Sequence, residues 1–428
     1  MSKTRVLVVD DSAVIRRAIS DLLAGDPEIE VVGQAANGSL ALQRISDLKP
    51  DVITLDVEMP VMDGLETLRA MKKSGLTVPV IMCSTLTERG AMATLDALSL
   101  GAACYVTKPS SSGTVSDSIE NLRRELLPKV KALGGHHNRY NREGIRKPSL
   151  STQASGTKTT AEPTLRESRE AHLQTAPQHP EPQHITSPRI AAQPRARQET
   201  APSFREKVIP SPRTAPEPKA AIPVTLAPKS KNSSKVEAVI IGVSTGGPNA
   251  LAVLLPALPA NLSVPVLVVQ HMPPVFTKLV ADRLNKQCSL TVREAVDHEL
   301  ARAGTILIAP GDFHMTLERN GDGNRIKLNQ NAAVNFCRPA VDVMFQSAVT
   351  VYGSGLLAVV LTGMGSDGAL GCEQVRNAGG QVIVQDAATS VVWGMPGAVA
   401  ERGLAEAVLP LEDIAKEIVR RVSAPNRV

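Results

Sequence analysis

Short apolar runs rich in valine and isoleucine recur at both ends of this chain, each followed by a helical pattern. In residues 5–125 the runs are Arg5–Val9, Glu30–Ala35, Asp51–Leu55, Pro79–Cys83 and Cys104–Val106. They suit strands covered on both faces. After the first run, Val14, Ile15, Ala18, Ile19, Leu22 and Leu23 fall on one helical stripe. Strands alternating with helices imply a parallel sheet with right-handed crossovers. Such sheets bind ligands outside the C-terminal ends of their strands.

The pattern stops after Val130 and returns at Val236. Residues 148–228 hold 14 of the 31 prolines and one aromatic residue, Phe204. Dense proline removes backbone donors, and so little apolar surface cannot offset chain entropy of about 1–2 kcal/mol per residue. Residues 130–235 therefore read as a flexible linker between two domains, as 428 residues require. The regional charges locate the formal net charge of +5: −4 over residues 1–125, +11 over 126–235 and −2 over 236–428. Neither folded end is a basic nucleic-acid reader, so no nucleic-acid partner is expected. Five scattered cysteines without C-x-x-C spacing read as reduced thiols. With no signal-peptide pattern and no membrane-length apolar run, the expectation is a cytoplasmic, monomeric protein without membrane insertion.

From Val236, strands are expected at 238–241, 264–269, 305–308, 356–361 and 381–384. Helices are expected at about 248–257, 274–286, 340–351 and 368–377. Asn320-Gly-Asp-Gly323, between Met315–Leu317 and Arg325–Leu328, marks a hairpin insertion.

Polar residues gather where the first sheet's strands end. Asp10 and Asp11 follow the first strand, Asp56 the third, Ser84 the fourth and Lys108 the fifth. Carboxylates converging at one sheet edge call for a cation. Hard oxygen ligands with open positions suit Mg²⁺, and a lysine and a hydroxyl suit phosphoryl oxygens. In the second region Gly242-Val-Ser-Thr-Gly246 fits the G-x-S-x-G turn, in which a sharp strand-to-helix corner exposes Ser244. A nucleophilic serine needs a base and a carboxylate that orients it. His271 ends the strand after Ser244, whereas His298 reads as a surface residue and His314 as structural. Asp367 lies in the glycine-rich loop after the strand 356–361, with Asp342 and Asp386 as competitors. Backbone amides near Thr245 and Met364 are candidate oxyanion donors. The order Ser244, His271, Asp367 differs from the Ser, Asp/Glu, His order of α/β-hydrolases, which excludes that superfamily.

Residues 4–121 resemble a two-component receiver domain through Val8-Val-Asp-Asp-Ser12, Leu55-Asp-Val-Glu-Met-Pro-Val-Met-Asp-Gly-Leu65 and Tyr105-Val-Thr-Lys-Pro109. The resemblance implies Asp56 as phosphoacceptor and Mg²⁺ held by Asp10, Asp11, Asp56 and the Glu58 carbonyl. It also implies Ser84 and Tyr105 as the switch pair and Lys108 as the phosphate contact. Residues 236–425 resemble the catalytic domain of the bacterial chemotaxis protein-glutamate methylesterases/protein-glutamine glutaminases. The matching segments are Ile241-Gly-Val-Ser-Thr-Gly-Gly-Pro248, Gln270-His-Met-Pro273, Arg338-Pro-Ala-Val-Asp-Val-Met-Phe345 and Leu361-Thr-Gly-Met-Gly-Ser-Asp-Gly368. Cys337 stands where that family commonly has histidine.

The implied fold is α/β: a five-stranded parallel, flavodoxin-like receiver, then a doubly wound, largely parallel catalytic domain with a hairpin insertion. The implied activity is demethylation and deamidation of chemoreceptor side chains, switched by a chemotaxis histidine kinase and needing no cofactor at the esterase site. The rival readings are a response regulator whose output domain only binds, and a hydrolase of small esters.

Overall fold

The computed structural model describes residues 3–85, 87–108, 115–143, 226–228 and 235–424. The first sheet is built from β1 (Thr4–Val9), β2 (Ile29–Ala35), β3 (Val52–Asp56), β4 (Val80–Ser84) and β5 (Cys104–Thr107). Its order is β2-β1-β3-β4-β5 and every pairing is parallel. The crossovers are α1 (Ala13–Ala24), α2 (Gly38–Leu48), α3 (Gly64–Lys73) and α4 (Glu88–Leu100), and α5 (Val115–Glu143) follows β5. Local chemistry sets several helix starts. Asp63 and Glu66 form a reciprocal capping box at α3, and Thr87 caps α4.

Helix α5 corrects the expected linker boundary. It continues through Pro128 to Glu143, so residues 130–143 are helical. Leu122, Leu126, Val130 and Leu133 recur at helical spacing and are all buried, a stripe that persists where the composition turns polar and basic. Pro128 removes one backbone donor, yet this buried stripe holds the helix across it. At the linker's other end, the Ala227 amide donates to the Ala405 carbonyl at 2.8 Å, and Arg376 donates to the Pro228 carbonyl at 2.7 Å. Most of the intervening segment lies outside the described residues.

The second sheet has seven parallel strands in the order β14-β13-β12-β6-β7-β9-β8. These are β6 (Ala238–Val243), β7 (Val266–Gln270), β8 (Thr291–Glu294), β9 (Thr305–Ile308), β12 (Leu356–Val360), β13 (Gln381–Gln385) and β14 (Ala407–Leu409). The antiparallel hairpin β10 (His314–Asn320) and β11 (Gly323–Asn329) stands apart as expected, its turn at Gly321 and Asp322. The helices are α6 (Gly247–Leu254), α7 (Phe276–Asn285), α8 (Val341–Tyr352), α9 (Ala369–Asn377), α10 (Met395–Glu401) and α11 (Leu411–Val422). Alternate residues of β6 enter different cores: Val239, Ile241 and Val243 face one, Ala238 and Ile240 the other. A strand buried on both faces is apolar throughout, which is why β6 was legible.

The described residues of both sheets belong to one compact unit. Leu95 and Leu98 of α4 share a hydrophobic cluster with Leu254 of α6 and with Phe276 and Val280 of α7. Asn249 donates to the Leu98 carbonyl at 2.9 Å, and Arg283 pairs with Asp96 at 2.9 Å. The Tyr105 ring of β5 stacks on Phe276, with centroids 4.8 Å apart and planes 4° from parallel. Val391, Val392 and Met364 pack in the cluster that contains Val106, Leu122 and Leu126. The first domain therefore sits against loops at the C-terminal edge of the second sheet.

Candidate active site

Ser244, His271 and Asp367 follow the adjacent strands β6, β7 and β12, so the sheet itself brings them to one edge. Here the chain order reverses across the sheet, where open α/β folds form crevices. Ser244 occupies the corner between β6 and α6. Its amide donates to the Thr362 carbonyl at 3.0 Å, and its carbonyl accepts from Gly247 at 2.8 Å and from Gln270 Nε2 at 3.0 Å. Thr362 Oγ1 donates to the Thr245 carbonyl at 2.9 Å. The flanking glycines serve the fold. Gly246 has φ +82°, and a Cβ on Gly242 would lie 2.4 Å from Val341 Cγ1. Among the described residues the backbone amides of Thr245 and Met364 make no hydrogen bond.

His271 Nε2 and Asp367 Oδ2 are 2.7 Å apart, and the Cys337 side chain is the ring's other polar neighbour. The Ser244 hydroxyl makes no hydrogen bond to His271 in this structure. Catalytic hydrogen bonds are often open without substrate and tighten in the reacting complex. Asp367 is almost completely enclosed by donors. Oδ2 also accepts from the Val341 amide at 2.7 Å, and Oδ1 accepts from Asn335 Nδ2, the Asp342 amide and the Gly368 amide at 2.9–3.1 Å. Burial favours a neutral carboxyl, but His271 and the backbone amides outweigh it and hold Asp367 below the ordinary range. Burial likewise opposes a charged imidazole, and the Asp367 carboxylate, with the neighbouring Cys337 sulfur, outweighs it and drives His271 upward. Both shifts favour an imidazolium–carboxylate pair.

The competing residues fall elsewhere. Asp386 accepts from Thr389 within its own loop. His298 is exposed beside Asp297. His314 is buried, accepting from the Ala340 amide through Nδ1 and contacting the Ala332 carbonyl through Nε2. Asp342 is the informative competitor. Its amide serves Asp367, while its own carboxylate accepts from Gly371 and Asn335. Burial, with the Asp367 charge beside it, raises its pKa. Asn335, Gln270 and Thr362 were missed, because a polar side chain inside a site has no spacing signal of its own.

At the first sheet's edge, Lys108 Nζ lies 2.8 Å from Asp10 Oδ2 and 2.7 Å from Asp56 Oδ2. Asp56 Oδ1 accepts from the Val57 amide at 2.7 Å. Burial raises the Asp56 pKa to about 6, against the pull of Lys108. Asp10, Asp11 and Asp56 offer carboxylate oxygens within 4.8 Å of one another, a hard-oxygen set compatible with a divalent cation. Asp10 Oδ2 is buried, and its polar neighbour is the Lys108 ammonium. Ser84 Oγ donates to the Gly90 carbonyl at 3.1 Å, and the Glu58 side chain pairs with Arg89 at the surface. Tyr105 is taken up by its stack on Phe276.

A carboxylate-edged parallel domain joined to an α/β domain carrying serine, histidine and aspartate at adjacent strand ends defines a receiver-linked hydrolase. Family models agree: the response regulator receiver domain matches residues 6–120 and CheB methylesterase matches residues 239–418. A protein-glutamate methylesterase/protein-glutamine glutaminase of Nocardioides sp. is 45% identical over 423 residues, 99% of this chain and 96% of the relative. One of Trichodesmium erythraeum is 42% identical over 422 residues, 99% of this chain and 100% of the relative. The crystal structure of the Thermotoga maritima CheB methylesterase catalytic domain has 45% identity and a TM-score of 0.43, covering 43% of this chain and 98% of that one. This chain belongs to the protein-glutamate methylesterase/protein-glutamine glutaminase family.

Proposed function

We propose that the chain hydrolyses glutamyl methyl esters and deamidates glutamines on chemoreceptors, with Ser244 as nucleophile, His271 as general base and Asp367 as its orienting carboxylate. The hydrogen-bonded His271–Asp367 pair beside the Ser244 corner carries this reading. The Ser244 oxygen attacks the side-chain carbonyl while His271 Nδ1 takes its proton. The amides of Thr245 and Met364 receive the oxyanion. Methanol, or ammonia from glutamine, leaves with the proton returned by His271. Water then attacks the acyl-serine with His271 again as base, releasing glutamate and restoring Ser244. Each oxyanion donor is worth about 2.7–4 kcal/mol of barrier by analogy with other hydrolases.

The same reading assigns residues 4–121, with the rest of α5, to a receiver, and residues 236–425 to catalysis. Asp56 accepts a phosphoryl group from a chemotaxis histidine kinase. Asp10, Asp11, Asp56 and the Glu58 carbonyl hold Mg²⁺, which when bound neutralises phosphoryl oxygens, and Lys108 contacts the phosphate. Ser84 and Tyr105 relay the change to the domain contact. Among the described residues no helix is long and apolar enough to cross a membrane. The protein acts in the cytoplasm, where receptors present their methylated helices.

The test is methanol release from methylated receptor, together with labelling by a serine-directed probe. Ser244→Ala should abolish both, by roughly 10⁶-fold for turnover as for other triad nucleophiles. Retention of either would remove Ser244 from the mechanism, and turnover of small methyl esters alone would favour the small-ester reading.

A further inference from the structure

Asp367 and Asp342 are two buried carboxylates, 3% and 2% exposed, packed side by side. Asn335 Nδ2 donates to both, reaching Asp367 Oδ1 at 2.9 Å and Asp342 Oδ2 at 3.1 Å. Through one amide group it binds both carboxyls, which also neighbour each other directly. The backbone that delivers this amide is unusual. Val334 and Cys337 exchange backbone hydrogen bonds of 3.1 and 2.9 Å, closing a tight turn around Asn335 and Phe336. Both central residues have positive φ, +52° and +61°, the handedness of a type I′ turn. Asn accepts that conformation readily, but a bulky aromatic residue does not. Phe336 is 86% exposed, so core packing does not hold it there. Strain of this kind persists only where the surroundings over-determine it. Here the anchors are the Asn335 amide on the inside and Arg338, which grips Asp312 and the carbonyls of Gln330 and Asn331, on the outside.

We propose that Asn335 is a positioning residue for the hydrolysis, bridging Asp342 and Asp367 so that Asp367 keeps one orientation toward His271. The inference rests on the triad reading and extends it to a residue whose side chain binds the two carboxyls rather than Ser244. Asp342 completes the unit from below: its amide holds Asp367 Oδ1, and its carboxylate is fixed by the Gly371 amide at 2.7 Å. The same turn places Cys337 beside His271, so the groups facing the imidazole are Asp367 and Cys337, with Asn335 and Asp342 immediately behind.

Two full-length variants, assayed by methanol release from methylated receptor in the presence of phosphodonor, separate positioning from mere turn formation. Asn335→Gly keeps the turn, because glycine is at ease with positive φ, and removes only the amide. It should lower kcat about tenfold, as expected for losing a hydrogen bond to a charged group, with KM within about twofold and Tm near wild type. Asn335→Asp also tolerates the turn but sets a third carboxylate behind Asp367. Its added negative charge stabilises imidazolium, so the ascending limb of kcat/KM should move to higher pH, whereas a purely structural residue would leave the limb in place. An Asn335→Gly protein with kcat within twofold of wild type, or an Asn335→Asp protein with an unmoved limb, overturns the proposal. Ser244→Ala run alongside keeps the two readings apart. If it is inactive while the Asn335 variants are unaffected, only the bridging role fails. If it remains active, the triad itself fails.

Discussion

At the level of single residues, the proposed chemistry turns on how Asp367 treats His271. A general base must be neutral to accept a proton, and Asp367 and Cys337 together raise the His271 pKa above its ordinary 6.5. The neutral fraction therefore grows as pH rises through the folded-state value, and the ascending limb of the pH–rate profile should lie above pH 6.5. Asp367→Asn removes the carboxylate charge. It should move that limb toward lower pH and reduce kcat by about 10⁴-fold, the loss seen when a triad carboxylate is made an amide. A limb that stayed in place would mean that another group sets the protonation of His271. The same shifts have a stability sign. The raised His271 pKa contributes stability that is complete below about 6.5 and lost as pH rises through its folded value. The depressed Asp367 pKa contributes stability present above about 3.8 and lost as pH falls through its folded value. The pair therefore supports the fold most between those limits.

At the level of elements, the strands were the legible part, for a physical reason. A parallel strand buried on both faces is apolar along its whole length, and the expected bounds of β6, β9, β12 and β13 agree with the structure to within two residues. The edge strands β8 and β14 escaped: half-covered Thr291–Glu294 reads as polar loop, and Ala407–Leu409 is only three residues long. Helix α11 escaped although its stripe of Ile414, Ala415, Ile418 and Val422 stood in plain sequence. In the candidate site, Ser244, His271 and Asp367 stand out as candidates because each sits at a strand end with its own local pattern. Asn335 and Gln270 were not, because their roles come from neighbours remote in sequence. The tail of α5 was hidden by composition: Pro128 and the basic run after it resemble a linker, while Val130 and Leu133 are in the core. That placement predicts that Leu126→Ala in the full-length protein costs about 2–5 kcal/mol, as for other fully buried leucines. A lowered unfolding midpoint in urea checks it. An unchanged midpoint would mean that α5 does not support the first core.

At the level of the whole molecule, the proposed regulation has the first domain covering the catalytic cleft in a closed arrangement until Asp56 is phosphorylated, and the contact between the two domains is where that change would act. Tyr105 on Phe276, Asn249 on Leu98, Arg283 on Asp96 and Arg124 over the Phe336 ring at 5.7 Å all join the domains close to the catalytic loops. The aromatic stack is worth about 0.5–1.5 kcal/mol beyond its buried area. If Tyr105 turns inward when Asp56 is phosphorylated, that contribution is lost from the closed arrangement, which shifts the population toward an open one. Asp96 and Arg283 give the cleanest handle, because both are well exposed and neither belongs to the catalytic machinery. An exposed pair of this kind contributes about 0.2–1 kcal/mol, so replacing attraction by a repulsion of similar size should change the open population by roughly two- to thirtyfold. Asp96→Arg alone, and Arg283→Asp alone, should therefore raise the unphosphorylated rate of methanol release by that factor. The phosphorylated rate should stay close to wild type. Combining the two exchanges restores opposite charges and should return the basal rate toward wild type. The gain in the single variants should shrink as salt screens the surface charges. Single variants with unchanged basal rates would show that this contact does not restrain catalysis, and a double variant as active as the singles would trace the effect to something other than the Asp96–Arg283 pair.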